Sequence, residues 1–463
     1  MRTLIKDGTV VTATDTVSAD VWIDGDTVVG VCHPSLRKTF AAEREIDATG
    51  KLVLPGGVDV HTHLDMPFMG TSSRDDFQTG TIAAAHGGTT CLVDFAIQGR
   101  GQSLRAGLDA WHAKAEGKAA IDYGFHMIMA DVNPQSLAEM KTLAAEGVTS
   151  YKLFTAYPGA LYSDDGQILR AMQQAAELGA LVSLHAENGI AINVLIEQAV
   201  ARGEVAPRFH AATRPEISEA EATHRALCLA EIAGAPVYIV HLTASRALEQ
   251  IVAFRDRGLS VYAETCPQYL FCCTDDIAKP DFEGAKYVCS PPMRPKAMQA
   301  DLWRGLRTGH VQVVATDHCP FDFKGQKDMG REVFTKIPNG MPAIETRLHL
   351  LWDGGVREGR ITPSRFVDIV ATAPAKLFGL YPKKGTVAVG SDADLVVWDP
   401  ERKQSLRARD LHMRVDYSPY EGRTTQGAPT HVLSRGNVIV ENGKFLGKAG
   451  AGRYLRRAAF RAL

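Results

Sequence analysis

From about Lys51 to about Tyr381 the chain alternates short apolar runs with helix-patterned stretches, and no other feature restricts its possible folds as much. Eight runs stand out: Gly57–His63, Thr89–Phe95, Ile121–Met129, Thr149–Phe154, Leu181–His185, Val237–Leu242, Ser260–Glu264 and Val311–Asp317. Helix patterns fall between them at Gly166–Leu178, Ser218–Ala233 and Ser245–Arg257, the second with Ser218 and Glu221 spaced as a capping box. Eight βα units predict an α/β fold, a (β/α)8 TIM barrel whose active site is built on the C-terminal strand ends. A doubly wound sheet would want a glycine-rich phosphate turn after its first strand. Here the first run ends in two histidines, and neither G-x-x-x-x-G-K-[ST] nor a placed G-x-G-x-x-G occurs.

The two ends resemble each other and differ from the middle. Leu4–Val11 carries Asp7-Gly8 and Val21–Val31 carries Asp24-Gly25, both read as hairpin turns. Ala393–Trp398 is strand-like, and His431–Phe445 repeats the hairpin signal through Arg435-Gly436-Asn437 and Asn442-Gly443. Neither end has enough apolar material to stand alone. Residues 1–50 and 382–463 are therefore expected to form one small β-sandwich, with the barrel, 51–381, inserted between them. A chain of 463 residues accommodates a barrel and such a satellite.

A formal net charge of −2 points to no nucleic-acid or membrane partner. The one basic run, Arg453, Arg456, Arg457 and Arg461, reads as a solvated tail or a subunit-contact arm. The first residues lack the apolar core of a signal peptide. Eight cysteines, Cys272 and Cys273 adjacent and the rest scattered, form no Cys-x-x-Cys pair and suggest reduced thiols and a cytoplasmic location.

Chemistry concentrates at the ends of the predicted strands. His61 and His63 lie two apart, so in a strand both imidazoles face the same side. His185, His241 and Asp317 each close another apolar run. Any one of these is an ordinary strand end, but four such sites on four strands suggest a zinc-like divalent metal held by imidazole and carboxylate. Lys152 sits among apolar neighbours in Ser150-Tyr151-Lys152-Leu153-Phe154, where an unpaired ammonium is costly. It either snorkels outward or reacts with carbon dioxide to give a carbamate, an anion able to bridge two metals.

The chain resembles the dihydropyrimidinase/hydantoinase branch of the amidohydrolase superfamily over essentially its whole length. The resemblance rests on Pro55–Phe68, Tyr151–Tyr157, Val240-His241-Leu242, Glu264–Tyr269 and Ser290–Arg294, then on Ala315–Pro320, Ile337–Pro342 and Gly390–Leu395. It implies two zinc ions per subunit. One is held by His61, His63, Asp317 and carbamylated Lys152, the other by the same carbamate with His185 and His241. It also implies that Asp317 serves as general base and then acid, that Tyr157 steadies the oxyanion, and that Ser290 and Asn339 bind the imide or ureide face. For Asn339 a plain turn role before Gly340 competes. His318 should point away from the site, and His86, His126 and His349 are expected to be structural.

The implied activity is opening of a neutral cyclic amide, a 5,6-dihydropyrimidine or 5-substituted hydantoin, to an N-carbamoyl amino acid. Dihydroorotase-like members carry an arginine just after the His-x-His pair. This chain has Leu64, Asp65, Met66 and Pro67 there, which disfavours a carboxylated ring and, less strongly, allantoin. Met66, Phe68, Phe154 and Leu161 offer an apolar wall for a ring substituent. A non-catalytic scaffold relative would have lost the ligands that this chain keeps. A homotetramer is implied by the resemblance alone.

Overall fold

The computed structural model describes residues 1–39 and 41–463. In chain order the strands are β1 (Arg2–Val11), β2 (Thr16–Asp24), β3 (Thr27–Cys32), β4 (Arg44–Asp47), β5 (Leu52–Pro55) and β6 (Gly57–Thr62). A small hairpin follows, β7 (Pro67–Phe68) and β8 (Thr71–Ser72). Next come β9 (Thr89–Ile97), β10 (Asp122–Ile128), β11 (Ser150–Phe154), β12 (Leu181–His185), β13 (Val237–Ile239), β14 (Val261–Thr265) and β15 (Val313–Val314). The last are β16 (Leu395–Ser405), β17 (Thr424–Ser434), β18 (Asn437–Glu441) and β19 (Lys444–Phe445).

β6 and β9 to β15 form one parallel sheet in strict sequence order, with helices between, which is the expected (β/α)8 barrel. Strands β10 to β14 are buried along their whole length, which is why they read as continuous apolar runs rather than alternating ones. The seam between the first and last strands is closed mostly by side chains. Thr62 and His318 form a single parallel bridge. The Asp59 carboxylate accepts from Thr316 N at 3.2 Å and Thr316 Oγ1 at 2.6 Å. The buried Arg347 guanidinium donates to the Val58 and Val314 carbonyls, both at 3.0 Å.

Two predicted strands are much shorter than the sequence suggests. β13 stops at Ile239 and β15 covers only Val313–Val314, and a little beyond each end the chain turns through left-handed backbone, at His241 (φ 39°) and Asp317 (φ 50°). The predicted helix at Ser218 begins instead at Glu216, behind Pro215, whose φ of −60° is already set for a helix start. Ser218 is therefore not a cap; its hydroxyl donates to the Pro215 carbonyl at 2.7 Å.

The terminal segments form a nine-stranded sheet in the order β19-β18-β17-β16-β5-β1-β2-β3, with β4 on β1. Antiparallel pairing of β5 with β16, Val53 opposite Val397, joins the N-terminal part to the C-terminal part. β5 lies within the stretch expected for the barrel, yet it pairs here. The sheet curls into a sandwich around Ile5, Val21, Val53, Val397 and Leu433. Its turns meet closely: a Cβ on Gly436 would lie 2.0 Å from the Gly25 carbonyl oxygen. Asp7-Gly8 is not a hairpin turn. β1 runs through it, and the register passes from Ile5 opposite Val21 to Gly8 opposite Ala19, so two residues face one in a bulge.

The C-terminal basic run also departs from expectation. The tail passes under the N-terminal ends of the barrel strands, with Leu455 N donating to Tyr123 O and Phe460 N to Gly179 O. Arg457 is only 4% exposed; its guanidinium donates to the Phe125 carbonyl and to Ser150 Oγ at 2.8 Å. Strand starts present unpaired carbonyls, and a five-donor guanidinium suits them. Arg453, Arg456 and Arg461 stay exposed. Among the described residues no helix is long and apolar enough to cross a membrane.

Candidate metal centre and active site

The C-terminal ends of five barrel strands gather His61, His63, Lys152, His185, His241 and Asp317, all buried. The available ligand atoms of His61, His63 and Asp317 lie within 4.8 Å of one another, a set able to hold a metal ion. Asp317 Oδ1 is 3.1 Å from His61 Nε2 and 3.3 Å from His63 Nε2. Lys152 Nζ lies 3.0 Å from His61 Nε2. The His241 ring is 5.5 Å from that of His61 and 4.5 Å from that of His185. The six side chains thus make one continuous cluster, with His61, His63 and Asp317 at one side and His185 and His241 at the other.

The cluster's electrostatics suit a cation. Burial lowers the His63 pKa to about 4 against the opposing hydrogen bond with Asp317, and burial holds His241 well below its ordinary value. Both rings are neutral at pH 7, as metal ligation requires. Among the described residues the buried Nδ1 atoms of His63 and His241 have no hydrogen-bond partner. Burial raises the Asp317 pKa, but the His61 and His63 imidazoles outweigh it and keep the group a carboxylate. Burial lowers Lys152 to about 8 despite Asp317 and Glu264 nearby. Among the described residues no carboxylate is ion-paired with this lysine; its Nζ sits 4.3 Å above the Phe95 ring. An imidazole and carboxylate set with unpartnered buried nitrogens fits a divalent metal.

Several partners give no local signal in the sequence. His61 Nδ1 bonds to Glu264, whose other oxygen accepts from Tyr238 Oη at 2.8 Å. This is the arrangement that fixes a ligating imidazole's tautomer and ring plane. The buried Asp94 carboxylate accepts from Thr62 Oγ1 and Leu64 N, bracing the backbone on either side of His63. Glu187 Oε2 is 2.7 Å from His185 Nε2.

Above the cluster opens a largely apolar cavity of about 630 Å³. Met66, Phe68, Phe154 and Leu161 all line it. Tyr157 packs edge-on against Phe68, ring centroids 6.1 Å apart, and holds left-handed backbone at φ 60°. Its hydroxyl hydrogen-bonds to Ser290 and Asn339, and Asn339 Nδ2 donates to Ser290 Oγ at 3.2 Å. Tyr157, His241 and Asp317 therefore all carry left-handed strain, about 1–3 kcal/mol each, in one site. Arg214 and His210 also line the cavity and were not singled out from the sequence.

His318, His126, His349 and His86 bond or stack within the fold instead of joining the cluster. His318 turns away, bonded to Asp75 Oδ2 at 3.0 Å and accepting from Ala343 N. His126 bonds Ser150 Oγ and the Val60 carbonyl, His349 meets the Gly427 carbonyl, and His86 stacks on His412. All eight cysteines are free thiols.

Fold and site together define a barrel hydrolase of the kind that keeps metal ligands on its strand ends. The chain belongs to the amidohydrolase family, whose model matches residues 52–439. A D-hydantoinase of Streptomyces coelicolor is 59% identical over 459 residues, covering 99% of this chain and 98% of its own. A D-hydantoinase of Geobacillus stearothermophilus is 50% identical, covering 100% and 98%. The crystal structure of dihydropyrimidinase from Brevibacillus agri NCHU1002 matches with a TM-score of 0.98 at 51% identity, covering both chains fully.

Proposed function

We propose that this enzyme hydrolyses the cyclic amide bond of 5-substituted hydantoins and 5,6-dihydropyrimidines, releasing N-carbamoyl amino acids. One observation carries the reading: His63, Lys152, His185, His241 and Asp317 line the floor of a mostly apolar cavity sized for a small substituted ring, with His61 buried against them. The full-length D-hydantoinase relatives support it and favour D-configured hydantoins.

The metal complement we infer is two zinc ions, which His61, His63 and Asp317, His185 and His241, and a carbamate on Lys152 would hold. When bound, the ions supply a water acidic enough to attack at neutral pH and an electrophile for the ring carbonyl. Asp317 takes the proton of the attacking water and returns it to the departing ring nitrogen. The Tyr157 hydroxyl donates to the oxygen that gains charge as the carbonyl carbon becomes tetrahedral. Ser290 and Asn339, already joined to each other and to Tyr157, hold the imide face. Met66, Phe68, Phe154 and Leu161 exclude water and take the ring substituent.

Metal analysis tests this directly. Two zinc-like ions per chain are expected, and exhaustive chelation should lower kcat/KM at least about a hundredfold, with zinc restoring it. One ion per chain, or activity untouched by chelation, would overturn it.

Ring charge provides a second test. The loop after His63 places Leu64, Asp65, Met66 and Pro67 where a carboxylate would need a cation. The guanidinium lining the cavity, that of Arg214, already donates to the His210 carbonyl and lies in the field of Glu187. Dihydroorotate should therefore show kcat/KM roughly a hundredfold or more below dihydrouracil or an aryl hydantoin. Parity among the three refutes this account of the loop.

As functional units we propose a catalytic barrel over 51–381 on a sandwich of 1–50 and 382–463, with β5 at the junction. Free, mostly buried thiols support a cytoplasmic setting. Self-association as a homotetramer is supported by Ile190, Val194 and Val200, exposed on the helix Gly189–Ala201, and by Ile217 and Ile232, exposed on the helix Glu216–Ala233.

A further inference from the structure

Lys327 is a wholly buried lysine that the reaction does not use. Among the described residues no carboxylate pairs with it. Its Nζ donates instead to two carbonyls, Val288 O at 2.9 Å and Pro338 O at 3.0 Å. Those acceptors lie on two different loops, one two residues before Ser290 and the other directly before Asn339. The same loops touch twice more, through Gly340 N to Val288 O at 3.0 Å and Asn339 Nδ2 to Ser290 Oγ at 3.2 Å.

The lysine's own segment follows Asp317 in the chain, meets the Asn339 loop through Cys319 N to Met341 O at 3.2 Å, and has further anchors away from both loops. Lys327 N donates to Asp322 O, Gln326 Nε2 bonds Thr71 Oγ1 and Ser72 O, and Phe323 N and Lys324 N bond the Asp416 carboxylate. A buried amine without an acidic partner is among the costlier groups to place in a fold. Stability alone would be served as well by an apolar side chain with the loops tied elsewhere. What the amine supplies here is a junction of three segments: the one after Asp317, the one carrying Ser290 and the one carrying Asn339.

We propose that Lys327 is a positioning residue for substrate, tying the Ser290 and Asn339 loops at the spacing the ring requires. This rests on the assignment of Ser290 and Asn339 to the imide face. Polarisation adds to the tie. A donor on the Pro338 carbonyl draws density from the peptide that carries the Asn339 N–H, which has no partner within the chain among the described residues and becomes a stronger donor toward substrate. Burial brings the Lys327 pKa to about 7, yet amine and ammonium both have two N–H groups to give, so the tie does not depend on titration.

The test uses Lys327→Met, which removes both donors, and Lys327→Gln, which keeps two N–H donors on a shorter neutral chain and preserves the fold if the first variant is lost. With an aryl hydantoin, KM is expected to rise about tenfold for Lys327→Met and less for Lys327→Gln, with kcat within about threefold and metal content unchanged. Purely structural damage would lower kcat through the active fraction and leave KM in place. Hydrogen exchange in peptides spanning 286–292 and 336–342 should accelerate about tenfold in Lys327→Met and less in Lys327→Gln, whether or not substrate turns over. Unchanged exchange in both segments overturns the tie. Accelerated exchange with KM within about twofold of the parent overturns the substrate role. An unmodified chain that opens no cyclic ureide overturns the assigned reaction instead, and exchange still decides the tie.

Discussion

Asp317→Asn is expected to reduce kcat/KM for hydantoin opening by roughly a thousandfold or more. The substitution keeps the side chain's shape and places an amide where the carboxylate lies 3.1 Å from His61 Nε2 and 3.3 Å from His63 Nε2. Asparagine is among the residues that tolerate the left-handed backbone at φ 50°, so the loop need not rearrange. Two losses coincide. The anion that would balance a metal beside His61 and His63 disappears, and the group able to accept the water's proton becomes a donor. Measuring metal content beside kcat/KM separates the two. If the variant is reloaded with metal and stays inactive, proton transfer is the missing step; if metal restores turnover, ligation was. Activity within about tenfold of the parent, with metal bound, would remove Asp317 from the reaction altogether.

The same residue shows what the sequence could and could not reveal. Asp317 was legible because it follows an apolar run, and a run buried on both faces announces itself without knowledge of its neighbours. His61, His63, His185 and His241 were legible for the same reason. Strand lengths were less so, because the left-handed turns at His241 and Asp317 use ordinary residues in place of glycine. Asp7-Gly8 misled in the opposite direction, since the dipeptide that makes a hairpin also makes a bulge, and only the partner strand decides between them. Contacts between distant segments were silent. His61 meets Glu264 across 203 residues of sequence, and Arg457 reaches Phe125 across 332. No local pattern marks either pairing, and Arg457 looked like one more charge in a solvated tail. Lys327 was hidden differently, because Gly325, Gln326 and Asp328 around it are small or polar residues that give no sign of full burial.

Lys152 tests the least ordinary chemistry in the site. On the proposed two-metal reading, its replacement by alanine should remove the carbamate and cost about a thousandfold or more in turnover. The Nζ sits between the His61 imidazole and the Phe95 and Phe154 rings, a place where a permanent ammonium would oppose any bound cation. Burial already brings its pKa to about 8, so a neutral amine is within reach at physiological pH. That amine can add to carbon dioxide, forming a nitrogen–carbon bond and releasing one proton. The product is an anion with two oxygens for two metals. Arginine at this position should be as damaging as alanine, because the guanidinium stays charged and forms no such adduct. Small carboxylates such as formate or acetate, added to Lys152→Ala, should restore part of the metal binding by occupying the vacated space. Restoration of turnover will be weaker, since a free carboxylate lacks the positioning that the lysine tether provides. The decisive measurement is a crystal structure of the metal-loaded enzyme. Both metals bound beside an unmodified Lys152 would overturn the carbamate, whereas continuous density from Nζ into a bridging carboxylate would establish it.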